Sequence, residues 1–89
     1  MKHQYELNAL ADMVIGRATK GQTECVATVH YQGPSMHLWN SLTDDAYRAE
    51  AERNIKDNVA KRVKWGEFEI KIDRFNSCSP MDFQVKIVF

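Results

Sequence analysis

Side chains able to do chemistry are few, and none falls into a reactive pattern. His30 and His37, joined by Cys25 or Cys78, are residue types from which a zinc site is built, because imidazole nitrogen and thiolate sulfur are that ion's preferred ligands. Such sites use ligand pairs brought together by a turn or a helix, and the chain contains neither a C-x-x-C nor an H-x-x-x-H pair. Nucleophilic catalysis would need a thiol or hydroxyl beside an oriented histidine, and Cys78 with His37 is the nearest pairing the chain offers. Nothing around Cys78 marks it as an activated thiol, and no glycine-rich phosphate cradle is present. The adjacent carboxylates Asp44 and Asp45 are accounted for by helix capping. The expectation is a protein that is not an enzyme, with no catalytic residue, no cofactor and no metal.

Binding chemistry is better represented. Lys56, Lys61, Arg62 and Lys64 lie toward the basic end of a long helix, with Trp65 close by as a stacking ring, and this combination is what a nucleic-acid contact would use. The simpler reading is a solvated helix end whose positive charges answer the helix dipole. A second group is apolar: Met36, Leu38 and Trp39 in one irregular segment, Phe75, Pro80 and Met81 in another. Tryptophan and methionine are enriched at the centres of protein interfaces. Met36, Leu38, Trp39, Phe75 and Met81 are therefore the expected partner-binding residues, with closure of the open end of the core as the alternative role for the two segments.

The elements that must position these residues follow from hydrophobic periodicity. Residues 3–15 place Leu7, Leu10, Ala11 and Val14 on one helical stripe, although Tyr5, Leu7, Ala9, Ala11, Met13 and Ile15 also alternate as a fourth strand would. Helix-forming Ala, Leu, Glu and Met favour the helix. Residues 24–31 alternate as a strand, and 32–42 open on Gly-Pro and read as a loop. A helix is expected over 44–64, with Thr43 as its N-cap and Lys61, Arg62 and Lys64 in its last turn. Its apolar row is Tyr47, Ala51, Ile55, Val59 and Val63, with Arg48, Asn58 and Arg62 in the same arc. Residues 67–74 and 83–89 alternate as one-sided strands, joined by an irregular segment over 75–82.

The expected product is an α+β two-layer sandwich of order α-β-α-β-β, its small, mainly antiparallel three-stranded sheet packed against helices. With the first strand running up, the long helix comes down, the second strand runs up and the last runs down. Segments 32–42 and 75–82 then leave the same end of the sheet. Cys25 begins its strand at the opposite end, roughly 20 Å from Cys78 at about 3.3 Å per strand residue, too far for a disulfide. Two free thiols are expected. The strand–helix–strand–strand order, with Trp65 just before the second strand, resembles dodecin-like flavin-binding proteins in topology alone. The extra N-terminal helix and the lack of a matching ligand motif set this chain apart, and shared topology does not carry function.

Composition bounds the answer. A chain of 89 residues has room for one core, so a single domain over 1–89 is expected. Twelve Lys and Arg offset twelve Asp and Glu, which leaves no global field to draw the protein onto nucleic acid or an anionic membrane. Two cysteines, the absence of an apolar leader and the absence of a span of about 20 apolar residues favour a reducing, cytoplasmic setting and no membrane partner. These features together point to a small non-catalytic protein-binding module. A stoichiometric inhibitor or regulator of a larger protein or nucleoprotein complex, of the kind phages and mobile elements use against host defence, fits this description. The alternative is a nucleic-acid-binding module using the basic helix end, and a homodimer formed through an edge strand, most readily the C-terminal one, is a third expectation.

Overall fold

A computed structural model of the protein describes residues 1–18, 24–74 and 82–89. Helix α1 covers Gln4–Arg17, strand β1 Glu24–Val29, helix α2 Met36–Leu42, helix α3 Asp45–Ala60, strand β2 Glu69–Arg74 and strand β3 Phe83–Val88. The N-terminal segment is a helix, as its stripe dictates: Leu7, Leu10, Ala11 and Val14 are all buried. The α+β architecture and the directions of the strands agree with the sequence reading. Strand β3 lies between β1 and β2 and is antiparallel to both, giving the order β1-β3-β2.

Alternation settles which face is covered. Ile70 and Ile72 of β2, and Phe83, Val85 and Ile87 of β3, are buried beside Val26, Ala27 and Val29 of β1. Helices α1, α2 and α3 supply the opposing layer, chiefly through Leu7, Val14, Leu38, Leu42, Ile55 and Val59. The other sheet face carries Thr28, Gln84, Lys86, Glu69, Lys71 and Asp73, none of them buried.

Three expectations about the helices are corrected. Residues 32–42 are not a loop: a single 3-10 turn over Gly33–Ser35, with Pro34 in its first positions, leads directly into α2. Proline's fixed φ suits the start of a helical segment, and Leu38 and Leu42, one helical turn apart, both enter the core. Thr43 does not cap α3; it terminates α2, its hydroxyl donating to the Asn40 carbonyl at 2.6 Å. The N-cap of α3 is Asp44, whose Oδ1 accepts from the amides of Ala46 at 2.9 Å and Tyr47 at 3.5 Å. The same helix stops at Ala60, so Lys61, Arg62 and Lys64 lie beyond it. The chain turns at Gly66, φ +81°, a left-handed conformation that glycine adopts without steric cost. Trp65 thereby reaches Phe68 and Phe89, with ring centroids 5.9 and 5.6 Å away.

The C-terminal strand cannot offer the edge expected for a homodimer, because β3 is central; the edges are β1 and β2. The expected separation of Cys25 and Cys78 depends on residues outside those described. Among the described residues no helix is long and apolar enough to cross a membrane.

Candidate binding surface

The register brings β1 and β2 to a common end of the sheet. Val29 and Arg74, the last residues of those strands, both pair with Phe83, the first of β3. Helix α2 follows β1 closely in sequence and therefore lies over this end. Trp39 is half-buried there, its ring centroid 6.1 Å from Phe83 and 6.2 Å from Tyr31. Two guanidiniums approach the fully buried Phe83 ring: Arg74 at 4.9 Å and Arg48 at 5.8 Å. Arg74 also lies 5.9 Å from the Trp39 centroid. Arg48 is committed internally, donating to the Leu42 carbonyl at 2.9 Å and pairing with Asp45 at 2.6 Å.

A buried carboxylate fixes the same end. Asp82 is 3% exposed, and its Oδ2 stands 2.9 Å from His30 Nδ1 while its Oδ1 accepts from the Tyr31 amide at 3.2 Å. The cost of desolvating that carboxylate is offset by these donors, so the end of β1 is tied to the start of β3.

The predicted partner-binding residues separate by depth. Met36 is 42% exposed, whereas Leu38 is 3% exposed and belongs to the core. Phe75 and Met81 lie outside the described residues, as do Cys78 and Pro80. Tyr31, at 39% exposure, joins Met36 at the surface. A further apolar region went unread in the sequence. Tyr5, Ala9 and Met13, spaced i, i+4 along α1, form one wall of a groove of about 160 Å³ whose other side is Thr28, Ser35 and Leu38. Tyr5 is 84% exposed and Met13 39%. The i, i+4 row was visible in the sequence, but two apolar stripes on one helix do not reveal which one faces the core.

The basic residues are not assembled into one patch. Lys56 reaches toward β2 and pairs with Glu69 at 2.9 Å, whereas Arg62 reaches toward α1 and pairs with Asp12 at 2.6 Å. Lys61 and Lys64 are exposed. Arg62 closes a polar seam between α1 and α3: Gln4 exchanges two 2.9 Å hydrogen bonds with Asn54, and Asn58 donates to Asn8 at 3.0 Å. Each rung joins residues 50 apart, so the two helices run parallel in register. Arg48, Asn58 and Arg62, which share the arc of the apolar row, thus border the core as internally bonded side chains.

The histidines are separated as well. His30 is held by Asp82, while His37 lines a polar cleft of about 530 Å³ between the start of α1 and the α2–α3 corner. In that cleft His3 Nε2 and Ser41 Oγ are 3.0 Å apart, the Tyr47 hydroxyl donates to the Lys2 carbonyl, and Asp44 is occupied by capping. Burial raises the Tyr47 phenol above its ordinary value, and the nearby Glu6 charge adds to the shift. Among the described residues no three His, Cys, Asp or Glu side chains gather as metal ligands would. No protein-family model matches the chain, and neither does any curated protein or solved structure.

Proposed function

We propose that the protein is a non-catalytic module that binds another protein, acting as a stoichiometric inhibitor or regulator. The observation that carries this reading is the location of exposed apolar side chains. Among the described residues, Met1, Tyr5, Met13, Tyr31 and Met36 are the large hydrophobic residues left exposed. Tyr5 and Met13 line the α1 groove, and Met36 and Tyr31 adjoin its lining residues Ser35 and Val29 within two positions in sequence. In so small a core, burying these side chains would be favourable at about 25 cal/mol per Å². Leaving Tyr5 and Met13 exposed along one groove, with Met36 and Tyr31 exposed on the segments that follow its lining residues, is the pattern of a surface kept for a partner.

Affinity capture from a lysate, at low and high salt, tests the proposal when native protein is compared with Tyr5→Ser and Met36→Ser. Both positions are exposed, so both variants are expected to retain the fold. A stoichiometric protein retained at high salt by the native chain and lost by the variants supports the reading. Retention unchanged in both variants places any partner elsewhere. Nucleic acid released by salt, and lost in Lys61→Ala, would replace the reading with the nucleic-acid one.

A further inference from the structure

We infer that Arg74 anchors an acidic side chain of the protein partner, so that the recognised segment carries an Asp or Glu beside an apolar residue. The inference rests on the protein-binding reading above and names the chemistry of its partner. The two guanidiniums near Phe83 differ in how their donors are used. Those of Arg48 are taken up by a carbonyl and a carboxylate. The Arg74 guanidinium is held within 6 Å of two aromatic rings, and among the described residues no carboxylate or carbonyl accepts from it. The residues that follow it, Phe75 to Met81, include no Asp or Glu in their sequence.

A cation–π contact steadies a guanidinium without using its N–H donors. The planar fork is left free to take a carboxylate through two parallel hydrogen bonds, with part of the ordering entropy already lost in the free protein. Charge and surroundings select the source of the anion. Arg74 is an exposed residue beside Trp39, whose ring also meets Tyr31. One cation among apolar groups suits one carboxylate of a peptide. A nucleic-acid backbone needs a series of cations.

Selection of displayed random dodecapeptides on the immobilised protein tests the inference. The expected result is enrichment of peptides with Asp or Glu adjacent to an apolar residue. Their affinity should fall at least about tenfold in Arg74→Gln, with an intermediate loss in Arg74→Lys, which keeps the charge but not the fork. Circular dichroism of each variant establishes that the fold is retained. Enriched peptides that depend on Met36 but carry no acid, or that bind Arg74→Gln undiminished, overturn the inference and leave the protein-binding reading intact. A selection that yields nothing dependent on Met36 or Tyr5 overturns the reading itself. Tight, steeply salt-dependent binding of a labelled oligothymidylate at Arg74 assigns the site to nucleic acid and overturns the inference by that route.

Discussion

Glu52 on α3 accepts a hydrogen bond from the backbone amide of Ile72 at 2.7 Å, through its Oε2. Ile72 belongs to β2, an edge strand, so a helix carboxylate occupies a donor that a neighbouring chain would otherwise use. The other edge is treated in complementary fashion: Arg17 of α1 donates to the Val26 carbonyl at 2.8 Å, at the irregularity where the β1 register shifts between Cys25 and Ala27. Occupied edges and bulges are recognised defences against strand-to-strand association. Replacing Glu52 by Ala is expected to cost about 1–2 kcal/mol, toward the lower end for a hydrogen bond to a charged group because the site is only half-buried. The freed amide should exchange faster with deuterium, and light scattering across a concentration series should show a rising mass. A variant that stays as stable and as monodisperse as the native chain would remove this role for Glu52.

Neighbouring residues of α2 should answer mutation in opposite ways. Leu38 is 3% exposed and Met36 42%. Leu38→Ala leaves a cavity and is expected to cost about 2–5 kcal/mol, whereas Met36→Ala should stay within about 0.5 kcal/mol. Urea unfolding of the two variants measures both values. Equal costs would mean that the depths of these side chains are misassigned.

The legible part of the fold was the part fixed by long periodic segments. The buried row of α3 and the alternation in β2 and β3 repeat often enough to exclude other conformations, whereas the stripe of α1 left a strand open and only its helix-forming residue types favoured the helix. Helix α2 escaped because seven residues hold only two turns, and Gly33-Pro34 carries a loop signal that outweighs one Leu38–Leu42 pair. The cap of α3 was displaced by one position because Thr43 and Asp44 are both good capping residues, and the sequence does not show that α2 claims the first. Strand order is set by tertiary packing, so the central position of β3 had no local signature. The surface was only partly readable for the same reason. Met36 and Leu38 are both large and apolar, and their depth depends on how α2 is rotated. Arg74 meets Phe83, and Tyr31 meets Asp82, through pairing between strands distant in sequence, which no spacing rule reports.

Lys71 and Lys86 face each other across β2 and β3 on the uncovered side of the sheet. Like charges placed directly opposite are destabilising, by roughly 0.2–1 kcal/mol in an antiparallel pair. Lys86 is central on that face, so Lys86→Thr removes the repulsion and introduces a β-branched residue suited to a strand. A gain of about 0.5 kcal/mol is expected, largest at low salt, where the charges are least screened. A loss of stability in thermal unfolding at low ionic strength would mean that the Lys86 stem contributes more by packing than its charge removes.

The Lys56–Glu69 pair joins α3 to the first residue of β2 and makes a prediction about pH. A hydrogen bond from Lys56 Nζ at 2.9 Å, followed by that ammonium's charge and a smaller contribution from Lys71, holds the Glu69 carboxyl below its ordinary value of 4.5. A carboxyl whose folded-state pKa lies below its unfolded value stabilises the fold above the unfolded value. That contribution is lost as pH falls through the folded one. The window here lies below pH 4.5. Because Glu69 is fully exposed, solvent and salt screen the pair, and the effect is sought in the titration itself rather than in unfolding. Carbon-13 NMR of the Glu69 carboxyl should give a midpoint below 4.5 in the native protein. In Lys56→Met the midpoint should move up to that value, because the two influences that remain, desolvation raising it and Lys71 lowering it, oppose each other. Adding about 0.5 M NaCl should shift the native midpoint in the same direction by shortening the screening length. A midpoint that ignores both changes would mean that the contact between the helix and the strand is not maintained in solution.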